Sequence, residues 1–312
     1  MPIPDTEAVY QKGDLGHYDF GTSPLAVLGY PVEHSVSPAM HNAALREMAL
    51  EKDEYRGWRY YKFSIPPEEL IATLPLFKEA GFVGLNCTIP HKTVVLPALK
   101  RIAEGARRKG AVNTLHLIEG DYIGHNTDGE GLLLAVQETL GRGLGDQPVV
   151  LLGAGGAARA AAVQCLEEGV PELWIGNRTP ARLEPLLRSL EKWVPGKTIK
   201  TFRMDDPPIS SLPRGAWVIN ATSLGMKRGD VSPLGREVLA SFCGVYDMIY
   251  SPPETPLMKE ALEAGIPAAN GVSMLVWQGV RALEVWTGDK VPAERMREAC
   301  KKALFGRGDV EK

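Results

Sequence analysis

Four branched apolar residues, Val149-Val150-Leu151-Leu152, run straight into Gly153-Ala154-Gly155-Gly156-Ala157-Ala158-Arg159. An apolar run of that length, halted by glycine and followed by small helix formers, reads as a buried strand, a tight turn and a helix. A strand feeding a helix forces the next strand to pair in parallel, with helices covering the sheet faces. The rhythm continues with strands at 172–175, 217–219 and 245–249 and a helix at 180–191. It is already present upstream. There, a strand at 25–29, a helix opening at Ser37-Pro38, a strand at 58–63, a helix at 66–80 and a strand at 82–85 follow one another. A hairpin-like pair, 112–118 and 122–124, comes next, joined by Glu119-Gly120-Asp121. Two more helices, 273–286 and 292–305, close the chain. Residues before Ser23 are polar and weakly patterned, and are expected to form a loosely ordered extension.

At 312 residues the chain exceeds what one core comfortably supports, so two domains are expected. A net charge of -3 with both signs dispersed gives no basic stripe for nucleic acid and no acidic tail. Cys87, Cys165, Cys243 and Cys300 stand far apart, with no C-x-x-C pair. Neither a disulfide framework nor a zinc site is suggested, and a reducing cytoplasm is the expected location. The N-terminal residues have no basic-then-apolar leader pattern, and no run approaches the ~18 apolar residues of a membrane helix.

The glycine turn permits close approach of backbone to a pyrophosphate, and the helix start supplies free N–H groups and partial positive charge. A bare G-x-G-x-x-G is weak, and here Ala158 takes the third position; the strand before and the helix after are what strengthen it. An ordinary glycine turn is the bland alternative. The next strand ends at Gly176-Asn177-Arg178-Thr179, with Arg182 behind. NAD sites place an acid about 20 residues after the glycines for the ribose hydroxyls. This chain has arginines instead, which suit the 2′-phosphate of NADP; the alternative is that both merely solvate a helix start.

Three segments of the first half are richer in small polar residues than core elements should be. They are Gly29-Tyr30-Pro31-Val32-Glu33-His34-Ser35-Val36-Ser37-Pro38, then Gly84-Leu85-Asn86-Cys87-Thr88-Ile89-Pro90-His91-Lys92, then Gly110-Ala111-Val112-Asn113-Thr114 with Gly124-His125-Asn126-Thr127-Asp128-Gly129. Ligands collect beyond the carboxyl ends of strands in open α/β sheets. Hydroxyls, amides, one lysine and one aspartate suit a polyol bearing one carboxylate. Singly, each residue has a plainer reading. Lys92 could be a solvated helix residue, Asp128 a helix N-terminal acid and Ser37 a helix cap. Gln278 interrupts an apolar helix face and needs a partner.

From Pro24 to the last helix the chain resembles the shikimate dehydrogenase family. HS-x-SP, N-x-T-x-P-x-K, GAVNT, NTDG, GAGGAAR, NRT and NATSLGM occur in the family's order. The resemblance implies that Ser35 and Ser37 hold a substrate carboxylate, while Asn86, Thr88, Asn113, Asp128 and Lys92 bind ring hydroxyls. Tyr250 and Gln278 would reach in from the C-terminal part. Lys92 and Asp128 would be the catalytic pair, the lysine giving a proton as hydride reaches a ketone carbon. Gly153, Ala154, Gly155, Gly156 and Ala157 would cradle the pyrophosphate of NADP. Asn177, Arg178, Thr179 and Arg182 would take its adenosine phosphate, and Met248, Gly271 and Glu104 the nicotinamide side. No metal is expected.

Cys87, in place of the family's usual branched residue, is expected to face away from substrate, and His125 stands where Tyr is frequent. The fold implied is α/β with two domains. An N-terminal α/β substrate domain (1–127 plus 271–312, the C-terminal helices returning to it) would accompany a Rossmann-like NADP-binding domain at 128–270, with a closing cleft between. Monomer or homodimer are both open. The competing expectations are a quinate/shikimate dehydrogenase of broader substrate range or NAD use, a non-catalytic binding protein on the same fold, and a methyltransferase.

Overall fold

The computed structural model describes residues 1–191 and 199–306. The chain divides into two compact units, Met1–Asp128 together with the chain from Val276 onward, and Gly129–Leu275. In the first, the chain runs β1 (Val9–Tyr10), β2 (Ser23–Gly29), α1 (Ser37–Glu51), β3 (Trp58–Ser64), α2 (Leu70–Glu79), β4 (Gly84–Cys87), α3 (His91–Val94), β5 (Arg101–Ile102), α4 (Glu104–Lys109), β6 (Thr114–Ile118) and β7 (Asp121–His125). These strands form one sheet in the order β1-β3-β2-β4-β6-β7-β5. β1, β3, β2 and β4 pair in parallel, whereas β6 is antiparallel to β4 and β7, as a hairpin demands.

Strand alternation sorts β3 cleanly. Tyr61 and Phe63 enter an apolar layer with Phe77, Phe82, Leu85 and Cys87. Tyr60 turns to the opposite face, where its ring stacks on His41 of α1 with centroids 4.1 Å apart. The Asn42 side chain brackets the Tyr60 backbone, donating to its carbonyl at 2.8 Å and accepting from its N–H at 2.9 Å. Helix α2 starts at Leu70 rather than 66, because Pro66-Pro67 form a turn that closes through Glu69 N–H to Pro66 O. β4 begins two residues later than the apolar run suggests, since Phe82 N–H is taken by Phe77 O across Gly81 at φ 83°.

The N-terminal extension is ordered, contrary to the expectation from its polarity. β1 pairs in parallel with β3, and Tyr10, Leu15 and Phe20 are buried. Phe20 sits edge-on to Tyr61 at 5.1 Å and packs on Phe82 at 5.2 Å. A few aromatic anchors suffice, although the residues between them are exposed.

The second unit comprises α5 (Asp128–Leu140, its first residue belonging to the first unit), β8 (Val149–Leu152), α6 (Gly156–Glu167), β9 (Leu173–Asn177), α7 (Leu183–Leu190), β10 (Ile199–Arg203), β11 (Trp217–Asn220), α8 (Arg236–Leu239), β12 (Gly244–Asp247), α9 (Pro256–Glu263) and β13 (Ala268–Ala269). Its sheet is parallel in every pairing, in the order β10-β9-β8-β11-β12-β13. Numbered within this sheet, that is 3-2-1-4-5-6. The winding direction therefore reverses between β8 and β11, the crevice where doubly wound sheets bind nucleotides. β10 had no clear sequence signal: Ile199-Lys200-Thr201-Phe202-Arg203 is an edge strand with only Phe202 buried.

Helix α10 (Val272–Thr287) leads out of the second unit, and α11 (Ala293–Phe305) packs along α1. The Trp286 indole donates to Leu115 O at 2.8 Å, and a Cβ on Gly84 would come within 2.4 Å of that ring. Glycine at 84 is what lets α10 seat on this sheet.

Removing residues 1–22 should uncover the aromatic layer and lose about 1.5–3 kcal/mol for each of the buried Tyr10, Leu15 and Phe20 side chains. Chemical denaturation of the truncated chain checks this; an unchanged midpoint would make the arm an ornament.

Candidate active site

The polar residues of the first unit converge on Asn113, buried at the entrance to β6. Its Oδ1 accepts from the Thr127 N–H at 2.8 Å and from Thr114 Oγ1 at 3.1 Å. Its Nδ2 faces Thr127 Oγ1 at 2.9 Å, Asp128 Oδ1 at 3.1 Å and Gln278 Oε1 at 3.4 Å. Two amide protons are thus shared among three acceptors. Asp128, at the first position of α5, uses its other oxygen to accept from Lys92 Nζ at 2.9 Å. The lysine comes from α3, whose place is set because Val112 N–H donates to Lys92 O at 2.8 Å. The carboxylate is 12% exposed and the lysine 34%, so the pair has one dry and one accessible side.

The network runs on past Asn113. Asn86 Nδ2 donates to Asn113 O at 2.9 Å and Thr114 Oγ1 at 3.0 Å, and Asn86 Oδ1 accepts from Tyr60 Oη at 2.7 Å. Burial holds the Tyr60 phenol well above its ordinary range, so it stays a donor, with Ser37 beside it. Thr127 Oγ1 donates to Gln278 O at 3.0 Å, tying α10 into the same cluster.

Of the residues singled out in this unit, Asn86, Lys92, Asn113, Asp128 and Gln278 are joined directly. Ser37 does not cap α1 with its hydroxyl; its N–H donates to Ser35 Oγ at 3.4 Å, because the loop closes on itself there. Thr88 packs its methyl where a Cβ of Gly29 would stand, 2.6 Å away. Glu104 accepts from Arg108 at 3.1 Å across one turn of α4, and no bond joins it to the Asn113 cluster. Cys87 faces the apolar layer, where burial pushes its thiol up to about 12. Tyr60, His41, Thr114 and Thr127 are additions. Thr114 and Thr127 sit inside recognisable motifs, whereas Tyr60 and His41 carry no signal outside the fold.

In the second unit, Gly153 adopts φ 116°, and a Cβ there would come within 3.0 Å of Ala221 O. Around Gly155 and Gly156 the opposite holds: a Cβ would meet nothing within 4 Å. The first three positions of α6 thus leave N–H groups without helical partners, open to an anion, at the end of β8. Arg178, Thr179 and Arg182 are exposed just past β9, and Asn177 Nδ2 donates to Thr179 O at 2.8 Å. Gly271 has no room for a side chain, since a Cβ would sit 2.2 Å from Met248 O. Met248 N–H donates to Asn220 O at 2.9 Å, and the neighbouring Asp247, wholly buried, has a carboxylate that accepts from Asn220, the Ile249 N–H and Thr255. Burial raises the Asp247 carboxyl above the usual range. That anchor was not foreseen from sequence. Tyr250 is in this unit, 37% exposed, two residues after Met248 in the segment that follows β12. Among the described residues no cluster of three or more His, Cys, Asp or Glu could hold a metal, and no helix is long and apolar enough to cross a membrane.

A 3-2-1-4-5-6 sheet with an open glycine turn, in a chain whose other unit bears a lysine paired to a buried acid, defines a nicotinamide-dependent oxidoreductase. Family models agree: a shikimate dehydrogenase substrate binding domain matches residues 27–115, and a shikimate 5'-dehydrogenase C-terminal domain matches 271–301. The NADP-dependent shikimate dehydrogenase of Geobacter metallireducens is 39% identical, over 91% of this chain and 97% of its own length. Among solved structures, the Thermus thermophilus shikimate 5-dehydrogenase with NADP(H) and shikimate superposes with TM-score 0.77 at 35% identity, covering 90% of this chain and 100% of that one. A 5-ketofructose reductase of Gluconobacter reaches TM-score 0.80 at 32% identity, over 91% of this chain and 99% of that one. The chain belongs to the shikimate dehydrogenase family.

His41, beneath Tyr60, has no bond to either ring nitrogen among the described residues, and burial pushes it down to about 3. An unfolded histidine titrates near 6.5, so between those values the unfolded chain binds the extra proton and stability falls with pH. At about pH 5 the loss from His41 is about 2 kcal/mol. Burial also lowers His91, His116 and His125, which add in the same sense. Denaturation midpoints at neutral pH and about pH 5 should converge partly in His41→Phe; an equal pH slope in variant and wild type would contradict this.

Proposed function

We propose that this chain catalyses the reversible NADPH-dependent reduction of 3-dehydroshikimate to shikimate. The observation that carries the reading is the Lys92–Asp128 pair, held at 2.9 Å and oriented from behind by Asn113. NADPH, when bound, supplies the hydride. The oxygen of the carbonyl under attack gains negative charge, and Lys92 stabilises it and delivers the proton. Asp128 keeps the ammonium pointed, and one of its oxygens remains beside the hydroxyl that forms. Asn86, Asn113 and Gln278 present amide groups to the ring hydroxyls, and Ser35 and Ser37 present hydroxyls to the carboxylate.

The same relatives support NADP as cofactor. Gly153, Ala154, Gly155, Gly156 and Ala157 would hold its pyrophosphate, and the absence of a Cβ contact at Gly155 and Gly156 fits that task. Asn177, Arg178, Thr179 and Arg182 would take the 2′-phosphate end, and Met248 and Gly271 the nicotinamide side. Glu104, already paired with Arg108, is the weakest member of the set. All four cysteines are free thiols, which supports a cytoplasmic site of action.

Purified protein should generate NADPH absorbance from shikimate and NADP, and far more slowly from quinate or with NAD. Comparable rates with quinate or NAD would move it to the broader relative, and silence in every arm would favour a binding protein. Lys92→Ala should lower kcat by about 10²–10⁴, far more than it raises KM for shikimate, because Lys92 acts mainly in the transition state. Near-normal turnover would remove Lys92 from the chemistry. Arg178→Ala should weaken NADP more than NAD; equal weakening of both would refute the 2′-phosphate assignment.

A further inference from the structure

A buried lysine outside the catalytic pair has no counter-charge among the described residues. Lys62 lies two residues beyond Tyr60 on β3, so both side chains leave the same face of the sheet. It is only 7% exposed. Its Nζ reaches the loop after β2 and donates to Glu33 O at the long distance of 3.3 Å. No carboxylate among the described residues pairs with it. Glu33's own carboxylate turns away and accepts from the Val32 N–H at 3.0 Å. An ammonium has three donors, and a buried one without an opposite charge is unfavourable.

The placement says which anion would relieve that. Lys62 contacts Glu33, and Tyr60 on the same face lies beside Ser37. The two side chains therefore flank a five-residue loop, 33–37, that carries both Ser35 and Ser37. Two neutral hydroxyls can hydrogen-bond a carboxylate but cannot neutralise it. We propose that Lys62 supplies the positive charge of the carboxylate subsite, acting with Ser35 and Ser37 on the acid group of the substrate. This rests on reading the site as one for shikimate. It makes Lys62 a specificity residue: it favours a ring acid over a neutral polyol of the same shape, and leaves the hydride step alone.

The test compares shikimate with its uncharged methyl ester in wild type, Lys62→Met and Lys62→Arg, with melting temperature and NADP affinity checked for each. Met keeps the volume and removes a buried charge; Lys62→Gln is the second variant if Met does not fold. Lys62→Met should raise KM for shikimate about 10-fold or more, as expected for loss of a charge-assisted bond, and hold kcat within about twofold. The ester should be unaffected, so the preference for the acid collapses; Lys62→Arg should keep most of it. A parallel rise in KM for acid and ester would show that Lys62 only anchors the loop, and overturns the proposal. Unchanged KM for shikimate overturns it as well. A wild type inert to shikimate would instead sink the reading of the site, visibly in the first arm, and Lys62's role with it.

Discussion

The first unit depends on how one buried amide is shared. Asn113 has two protons and one oxygen, and through them it touches Thr114, Thr127, Asp128 and Gln278. Those partners come from β6, the segment after β7, the start of α5, and α10. The position of Asp128, and hence of Lys92, is therefore fixed by groups from four parts of the chain. A buried amide left with an unmet proton is costly, so these elements hold one another in register. Asn86 and Tyr60 extend the same logic towards the loop of Ser35 and Ser37. A single hydrogen-bonded path thus links the groups assigned to the ketone with those assigned to the carboxylate.

In the second unit, what matters is close backbone approach rather than side-chain bonding. Gly153 turns the chain against Ala221, and Gly271 lies against the carbonyl of Met248. Both contacts lie beyond carboxyl ends of the parallel strands: Gly153 and Ala221 follow β8 and β11, where the order reverses, and Met248 and Gly271 follow β12 and β13. The glycines at 155 and 156 have a different role, since nothing in the protein crowds them. That openness leaves room for the ligand proposed there. Glycines in one loop are thus separable into one the fold crowds and two it leaves open.

Much of this was legible before the structure. Apolar runs ending in glycine mark β2, β8 and β9 because parallel strands buried on both faces must be apolar throughout. The proposed site residues stood out because they cluster in motifs at strand ends. What was hidden shares a physical cause: it depends on partners distant in sequence. The extension looked loose because its anchors, Tyr10, Leu15 and Phe20, are few, and only the surrounding aromatic layer makes them sufficient. β10 was missed because an edge strand needs little apolar character. Tyr60, Lys62 and His41 read as ordinary strand and helix residues, and Asp247 as one residue of the strand expected at 245–249. Their burial became visible only once α1 lay over β3, and β12 beside β11.

The most direct test of the pairing is single-turnover oxidation of NADPH by 3-dehydroshikimate in wild type and Asp128→Asn. The asparagine keeps the shape of the side chain and removes the charge that orients Lys92. The rate of the chemical step should fall by about 100-fold or more, with substrate affinity little changed. A chemical step at the wild-type rate would contradict the assignment of Lys92 and Asp128 as one catalytic unit.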